Sequence, residues 1–418
     1  MGTSEMMTKK FLSLFMILGL SILCPLAIAA TLTPLTYLTF EKEDTSNHIV
    51  VNFITEGVSP ATTVYYDTID HGSNKTKYRY KINSRVDTIS NVDRAYHHAS
   101  LENLKPNTTY FFIFGDSSLG TSKRYKFKTL PSDDSQIRLL VGGDMSASEK
   151  VVENAQDSMK IKPHLIIIGG DVAYANGRVR NEIRWVQWFE KMNRVMLGTD
   201  GHLTPLVLAI GNHETTLGIA NSFNRAPFFF KLFPQNGERS FFKRKLGSLT
   251  GLIILDSGHM VRHSEQTDFL EKALKSFSTL EHQLAAYHAP LYPNHRNYSD
   301  KLAARGRKHW QPLFDKYNLD LSFEHHDHTL KRTKVIRADK VAKKGTLYIG
   351  DGCWGKDARK SNQKWYLEKG SSTTHVWQAF INKKSIILKA VGKDTEVYDH
   401  LTLEQKPNET IVKELPIN

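Results

Sequence analysis

Five apolar runs in this 418-residue chain each end on a residue that can bind a metal ion. "IRLLVGGD" ends at Asp144 and "HLIIIGGD" at Asp171. "LTPLVLAIGNHE" carries Asn212 and His213, "HQLAAYH" ends at His288, and "LDLSFEHHDH" ends on His326 and His328. A single Asp after a strand is ordinarily a helix cap. Five such endings in one chain are hard to assign to capping. The donors are carboxylates, an amide oxygen and imidazoles, with a phenolate as a further candidate. No thiolate is among them, which favours Fe, Mn, Zn or Mg over Cu(I) or an iron–sulfur cluster. One ion would leave donors over, whereas two ions sharing a bridging carboxylate would use them all. Paired ions ~3.5–4 Å apart suit phosphate-ester chemistry.

Within "FEHHDH" the choice of donors depends on backbone geometry. If the segment is extended, alternate residues share a face. His326 and His328 then point together with Glu324, while His325 and Asp327 point the other way. On that expectation His326 and His328 are ligands, one for each ion. The rival donor, His325, would lack a second histidine on its face. The plain alternative is three surface histidines at a strand end.

Donors at the ends of apolar runs need a sheet to hold them. In α/β sheets, ligands bind beyond the carboxyl ends of strands. The runs alternate with helix-length amphipathic stretches such as "EIRWVQWFEKMNRVM" and "SEQTDFLEKALKSF", which is α/β texture. Upstream the pattern is short and alternating: "HIVVNFIT", "TTVYYDT", "TKYRYKI", "TTYFFIFG" and "KRYKFKT". It predicts a small all-β sandwich over residues 30–131, with "LPSDDSQ" as linker, an α/β domain over 137–400 and a C-terminal tail over 401–418. His97 and His98 lie together in the β region and are expected at its surface.

Composition is that of a globular chain, 24% charged and 40% hydrophobic, with a formal net charge of +13. The lysines and arginines are scattered, which reads as a solvated basic surface that also attracts anions. Residues 1–29 read as a signal peptide: "MMTKK" supplies positive charge, an apolar core follows, and Ala27 and Ala29 form an A-x-A cleavage pattern. The expected location is therefore secreted or periplasmic, with no membrane association after cleavage. Cys24 would leave with that segment, so Cys353 has no intrachain disulfide partner. N-x-[ST] sites occur at Asn74, Asn107, Asn297 and Asn408.

The ordered set "GDMS", "GDVAY", "GNHE", "AAYH" and "HHDH" resembles the five blocks of the purple acid phosphatases. "HAPLYPNH", "TLKRT" and "GTLYIGDGCWG" extend the match, and "LENLKPNTTYFF" resembles the fibronectin type III pattern. The resemblance implies a four-layer α-β-β-α metallophosphoesterase sandwich preceded by a small fibronectin type III-like sandwich. It also implies two metal sites. Asp144, Tyr174 and His328 would hold Fe(III). Asn212, His288 and His326 would hold a divalent Fe, Zn or Mn, and Asp171 would bridge. Two residues depart from the blocks: Ser146 and His325 stand where the family has glycine, and Ser146 would be strained if its turn needs a positive φ.

The implied activity is acid phosphatase: hydrolysis of small phosphomonoesters by a hydroxide generated at the metal pair. His213 would stabilise the transition state and protonate the leaving alcohol. His295, Tyr292 and Arg296 are weaker candidates for contacting substrate. A phosphodiesterase or nucleotidase on the same site is the nearest rival. A non-catalytic exported binding protein is the other. Nucleic acid is not expected as a structural partner.

Overall fold

The computed structural model describes residues 32–417 apart from 58, 117–119, 217–222, 238 and 351. The expected signal peptide lies outside the described residues. No helix among them is long and apolar enough to cross a membrane.

The first domain is two packed antiparallel sheets. One holds Leu32–Thr39, Ile49–Glu56, Arg94–Leu101 and Arg85–Thr88 in that order. The other holds Tyr80–Asn83, Thr63–Asp67, Thr109–Asp116 and Gly120–Thr121, with Tyr125–Lys128 also on Thr109–Asp116. Alternation turns Phe53 of one sheet onto Phe114 of the other, with ring centroids 3.9 Å apart. His97 and His98, expected at the surface, are buried. The reason is local pairing. The His97 ring lies 4.5 Å from Phe53 in a stack, and its two nitrogens meet the hydroxyls of Thr55 and Ser84, each at 3.1 Å. A buried imidazole with both nitrogens engaged avoids the cost of an orphaned polar group. The strand that carries it, "RAYHHASL", lacks the clean alternation that marks its neighbours.

The second domain is built on two seven-stranded sheets. In the first, the order is Leu206–Leu208, Leu165–Ile168, Ile137–Gly142, Val376–Ile381, Ile386–Val391, Val397–Gln405 and Thr410–Glu414. Its first three strands are parallel and the rest are antiparallel. In the second, the order is Phe242–Leu246, Thr250–Ile254, His282–Ala286, Leu321–Glu324, Leu347–Gly350, Leu330–Thr333 and Leu367–Ser371. Thr250–Ile254 through Leu347–Gly350 run parallel.

Side-chain alternation fixes the layers. Leu252, Ile254, Leu284 and Ala286 join Leu139, Ile166 and Trp377 in the core between the sheets. Ile253, Leu255, Ala285 and Tyr287 face outward onto Leu270, Leu274, Trp310 and Phe314 of the covering helices. Helix Ile183–Met196 covers the first sheet with Trp188, Phe189 and Met192. This is the four-layer α-β-β-α sandwich. Each fully buried Leu or Ile contributes roughly 1.5–3 kcal/mol.

Residues 401–418 are not the expected tail. They complete Val397–Gln405 and supply the edge strand Thr410–Glu414, with Leu403 opposite Val412. The signal missed was a short period-2 pattern in which Leu401 and Leu403 are buried. Arg332 pins this edge through Asp399 and Glu414. The two domains are joined by buried contacts. Tyr37 donates to the Leu232 carbonyl, and the buried Arg244 guanidinium donates to the carbonyls of Phe40 and Gln235.

Candidate metal centre

The parallel strands of both sheets end at one rim. Ile137–Gly142 delivers Asp144, and Leu165–Ile168 delivers Asp171. Leu206–Leu208 leads to the 3-10 turn Asn212–Glu214. In the other sheet, His282–Ala286 leads to His288 and Leu321–Glu324 to His326 and His328.

The donors fall into two groups. In the first, His328 Nε2 lies 2.9 Å from Asp144 Oδ1, and the Tyr174 hydroxyl lies 3.2 Å from His328 Nε2 and 3.5 Å from Asp144 Oδ1. In the second, His288 Nε2 lies 3.2 Å from Asn212 Oδ1, 3.2 Å from Asp171 Oδ2 and 2.9 Å from His326 Nδ1. One ligand atom each from Asp144, Asp171, His288 and His326 fits within 4.8 Å, so the groups adjoin. All seven side chains expected as ligands are brought together.

"FEHHDH" is not extended, so the alternation argument fails although His326 and His328 do converge. The strand stops at Glu324, and His326 and His328 take φ of 80° and 54°. Glu324 does not join the ligand face. It is buried against Lys331 and accepts from the Tyr287 hydroxyl and the Leu291 N–H, both at 2.7 Å. Asp144, Asp171 and Tyr174 also have positive φ, at 55°, 52° and 56°. Left-handed backbone at non-glycine residues costs of order 1–3 kcal/mol each and persists only where the surroundings enforce it. Ser146 has φ of 61°, so its turn does need the conformation that glycine adopts freely.

The donor set fits cations. Asp144 and Asp171 are buried, and among the described residues only imidazoles pair with their carboxylates. Burial opposes ionisation of Asp144, yet His288 and His328 outweigh it and hold the carboxyl far below the usual range. Burial likewise opposes the imidazolium of His288, but Asp171 and Asp144 push its pKa up to about 9. The negative field that raises it is the field that would attract metal ions. The His288 Nδ1–H donates to the Gly169 carbonyl at 2.9 Å, which turns Nε2 toward the cluster.

Residues 36–129 match the family model for the purple acid phosphatase N-terminal domain, and residues 111–330 match that for calcineurin-like phosphoesterases, more than half of the chain. The chain belongs to the purple acid phosphatase family. Purple acid phosphatase 15 of Arabidopsis thaliana is 25% identical over 288 residues, covering 61% of this chain and 53% of that protein. Probable purple acid phosphatase 20 of Arabidopsis thaliana is 26% identical over 327 residues, covering 72% and 70%. Probable inactive purple acid phosphatase 27 of the same plant is 25% identical over 335 residues, covering 68% and 51%. The chain thus spans about half the length of the first and third of these relatives. In fold it is similar to a purple acid phosphatase from yellow lupin (Lupinus luteus) seeds, with a TM-score of 0.75 at 17% identity over 90% of this chain and 75% of that one. It is also similar to PhoD, with a TM-score of 0.68 at 13% identity over 91% and 92%.

The remaining candidate residues divide. His213 stands at the rim with its Nε2 3.9 Å from Asp171 Oδ2 and its ring 4.1 Å from that of Tyr174. Its Nδ1 is held by the Asn176 side chain. Burial, the largest influence, lowers its pKa. Tyr292 is fully buried between Tyr348 and Tyr366, and its hydroxyl donates to Asp339 at 2.9 Å. It is a core residue here, with no surface to offer a substrate. His295 Nδ1 donates to the Lys360 carbonyl at 2.9 Å. Arg296 donates to the His326 carbonyl at 3.0 Å and pairs with Asp327, so it braces the strained turn that carries the histidines.

Three groups were missed in the sequence. The Glu214 carboxylate accepts the N–H groups of Asp171, Val172 and Gly211 at 2.7, 2.8 and 2.8 Å and so sets the Asp171 turn. Arg359 donates to the His326 carbonyl at 3.2 Å. Lys356 sits 4.7 Å over the Tyr174 ring. The last Glu of "GNHE" was visible as a motif letter, but its role needs the turn geometry. Arg359 and Lys356 carry no spacing signal at all.

Proposed function

We propose that this chain is an exported acid phosphatase that hydrolyses small phosphomonoesters. The observation that carries the reading is the division of the seven donors into two adjoining groups. Asp144, Tyr174 and His328 would hold one ion, and Asn212, His288 and His326 the other, with Asp171 between. Burial, then Asp144 and Asp171, push the Tyr174 hydroxyl far above its ordinary pKa. A cation bound there would draw off that proton, and the family resemblance implies Fe(III) in the first group. A divalent Fe, Zn or Mn suits the amide and imidazoles of the second.

When bound, such a pair polarises a phosphoryl oxygen and lowers the pKa of a coordinated water. The chain supplies the rest. The side chain of His213 is 35% exposed, so a substrate can reach it. Asn176 fixes its ring so that Nε2 faces the rim. From there its proton would pass to the leaving alcohol oxygen as the P–O bond breaks. Burial lowers the pKa of His213, so acid favours its protonated form. The Glu214 carboxylate and the Arg296 and Arg359 side chains keep the strained turns in place.

The test is to purify the protein, count its metals and compare a phosphomonoester with a phosphodiester. Two metals per chain, a tyrosinate–Fe(III) absorption band and faster monoester turnover are expected. Turnover confined to the diester would transfer the site to the rival reading. Absence of bound metal after reconstitution would overturn both.

A further inference from the structure

A cavity of about 440 Å³ lies at the junction of the two domains. Lys126 and Lys128 reach it from the first domain, and Arg138, Lys162, His164 and His202 from the second. Arg138 is the second residue of Ile137–Gly142, while His164 and Pro205 directly precede the neighbouring parallel strands. The cavity is therefore at the amino ends of the strands whose carboxyl ends carry the metal donors. The six residues of Ile137–Gly142 separate those poles by roughly 20 Å.

The charge in this cavity is one-sided. Asp200 is the one carboxylate lining it, and it pairs with Lys126 at 2.6 Å. Among the described residues, no carboxylate lies within ion-pair distance of Lys128, Arg138 or Lys162. The walls are rigid. The Lys126 N–H donates to the Gly201 carbonyl and the Leu203 N–H to the Lys126 carbonyl, both at 2.8 Å, which joins the domains here. Arg138 Nε donates to the Lys162 carbonyl at 3.1 Å, which leaves part of its guanidinium fork unused. His164 Nδ1 accepts the Arg138 N–H at 3.1 Å and its Nε2 lies 3.3 Å from the guanidinium, while burial, then Arg138 and Lys128, hold its pKa down to about 4, so the ring lines the cavity without adding charge. Cations gathered in a concave site focus a positive potential that a compact polyanion would neutralise.

We propose that this cavity is a second anion site, separate from the metal centre, which takes a small multiply charged phosphate compound of the oligophosphate class. Several cations around one cavity suit a ligand carrying more than one phosphoryl group. A ligand held there would touch both domains.

Calorimetric titration of the full chain with methylenediphosphonate tests this, because a phosphoesterase cannot cleave its P–C–P linkage. The Arg138→Gln/Lys162→Gln variant should lose one binding event, or weaken it about 100-fold, at roughly tenfold per charge-assisted contact. Lys128→Glu, an exposed change that leaves the core untouched, should weaken the same event. Any binding at the metal centre should persist in both variants. If the metal centre takes no ligand, the unmodified protein should show a single event that the double variant lacks, so the two readings fail separately. Identical stoichiometry and affinity in all three proteins would overturn the proposal.

Discussion

His328 Nε2 lies 2.9 Å from Asp144 Oδ1, although 184 positions separate the two residues in the chain. One belongs to each sheet, so the contact closes the sandwich at its rim. Two buried carboxylates opposed by imidazoles are tolerated when further positive charge is supplied. Asp144→Asn should therefore lose bound metal and fall in activity by at least about a hundredfold, in the range that loss of transition-state charge stabilisation causes. Tyr174→Phe should keep most of its metal but lose the visible absorption band. Metal analysis and absorption spectra check both. Full metal content in Asp144→Asn would count against the first donor group.

His213 donates its backbone N–H to the Asp171 carboxylate at 2.8 Å and packs its ring 4.1 Å from that of Tyr174. His213→Ala should retain both metals and the unfolding midpoint while kcat drops by about 10²–10⁴. Asn176→Ala should lower kcat by less, since the ring loses its orientation but keeps its proton. Steady-state kinetics at fixed metal occupancy separate these outcomes. An unchanged kcat in His213→Ala removes the residue from the mechanism.

Six of the seven donors were legible because they close apolar runs, whereas Tyr174 was assigned only through the resemblance of "GDVAY" to a family block. The two-domain plan was legible from the change of periodicity near residue 131. What escaped had no periodic signature. The left-handed turns at Asp144, Asp171, Tyr174, His326 and His328 are imposed by distant partners, so the local sequence predicted an extended "FEHHDH". Glu324 was expected on the ligand face because its own ion-pair partner, Lys331, follows seven residues later across a turn. The edge strand Thr410–Glu414 is short and polar, and only its pairing with Val397–Gln405 reveals it.

His325 explains one glycine in each of the pairs that precede the aspartates, Gly143 and Gly169. Its ring is buried, and a Cβ on Gly169 would stand 1.7 Å from its Cδ2, while one on Gly143 would stand 2.9 Å from its Nδ1. The family glycine at this position would leave that space to other atoms. Gly169→Ala should thus destabilise the fold by at least about 1–3 kcal/mol through overpacking. His325→Gly in the same chain should relieve most of that loss. Denaturant midpoints of the four proteins in the cycle measure the coupling. Additive effects would mean the ring and the glycine do not compete for space.

Asp320 gives the fold a pH dependence remote from the metals. Its carboxylate accepts the Gln283 N–H at 2.7 Å, yet burial dominates and raises its pKa to about 7. A carboxyl with a folded pKa above its unfolded value binds more protons when folded. Its contribution is greatest in acid and is lost as the pH rises from about 4 to about 7. Asp320→Asn keeps an acceptor for Gln283 and removes the titration. The variant should gain stability relative to the unmodified protein across that window, by up to a few kcal/mol at the upper end. Unfolding free energies at several pH values check it; a constant difference would exclude Asp320 as the source.

Lys331 and Glu324 form an ion pair in which both side chains are 0% exposed. Removing one partner of such a pair strands a buried charge and costs about 3–5 kcal/mol. Lys331→Met should destabilise by that amount. Glu324→Gln/Lys331→Met, which strands no charge, should recover much of it. Glu324 also holds the Leu291 N–H, three residues past His288, and ends the strand that leads to His326. Lys331→Met should therefore loosen metal binding at the second donor group as well. Glu324→Gln alone strands the Lys331 ammonium, so the double variant Glu324→Gln/Lys331→Met is the one that separates this support from direct coordination. As a brace, the amide still accepts from Tyr287 and Leu291, and metal affinity should change little. As a ligand, its loss of charge would lower affinity as sharply as Asp144→Asn does.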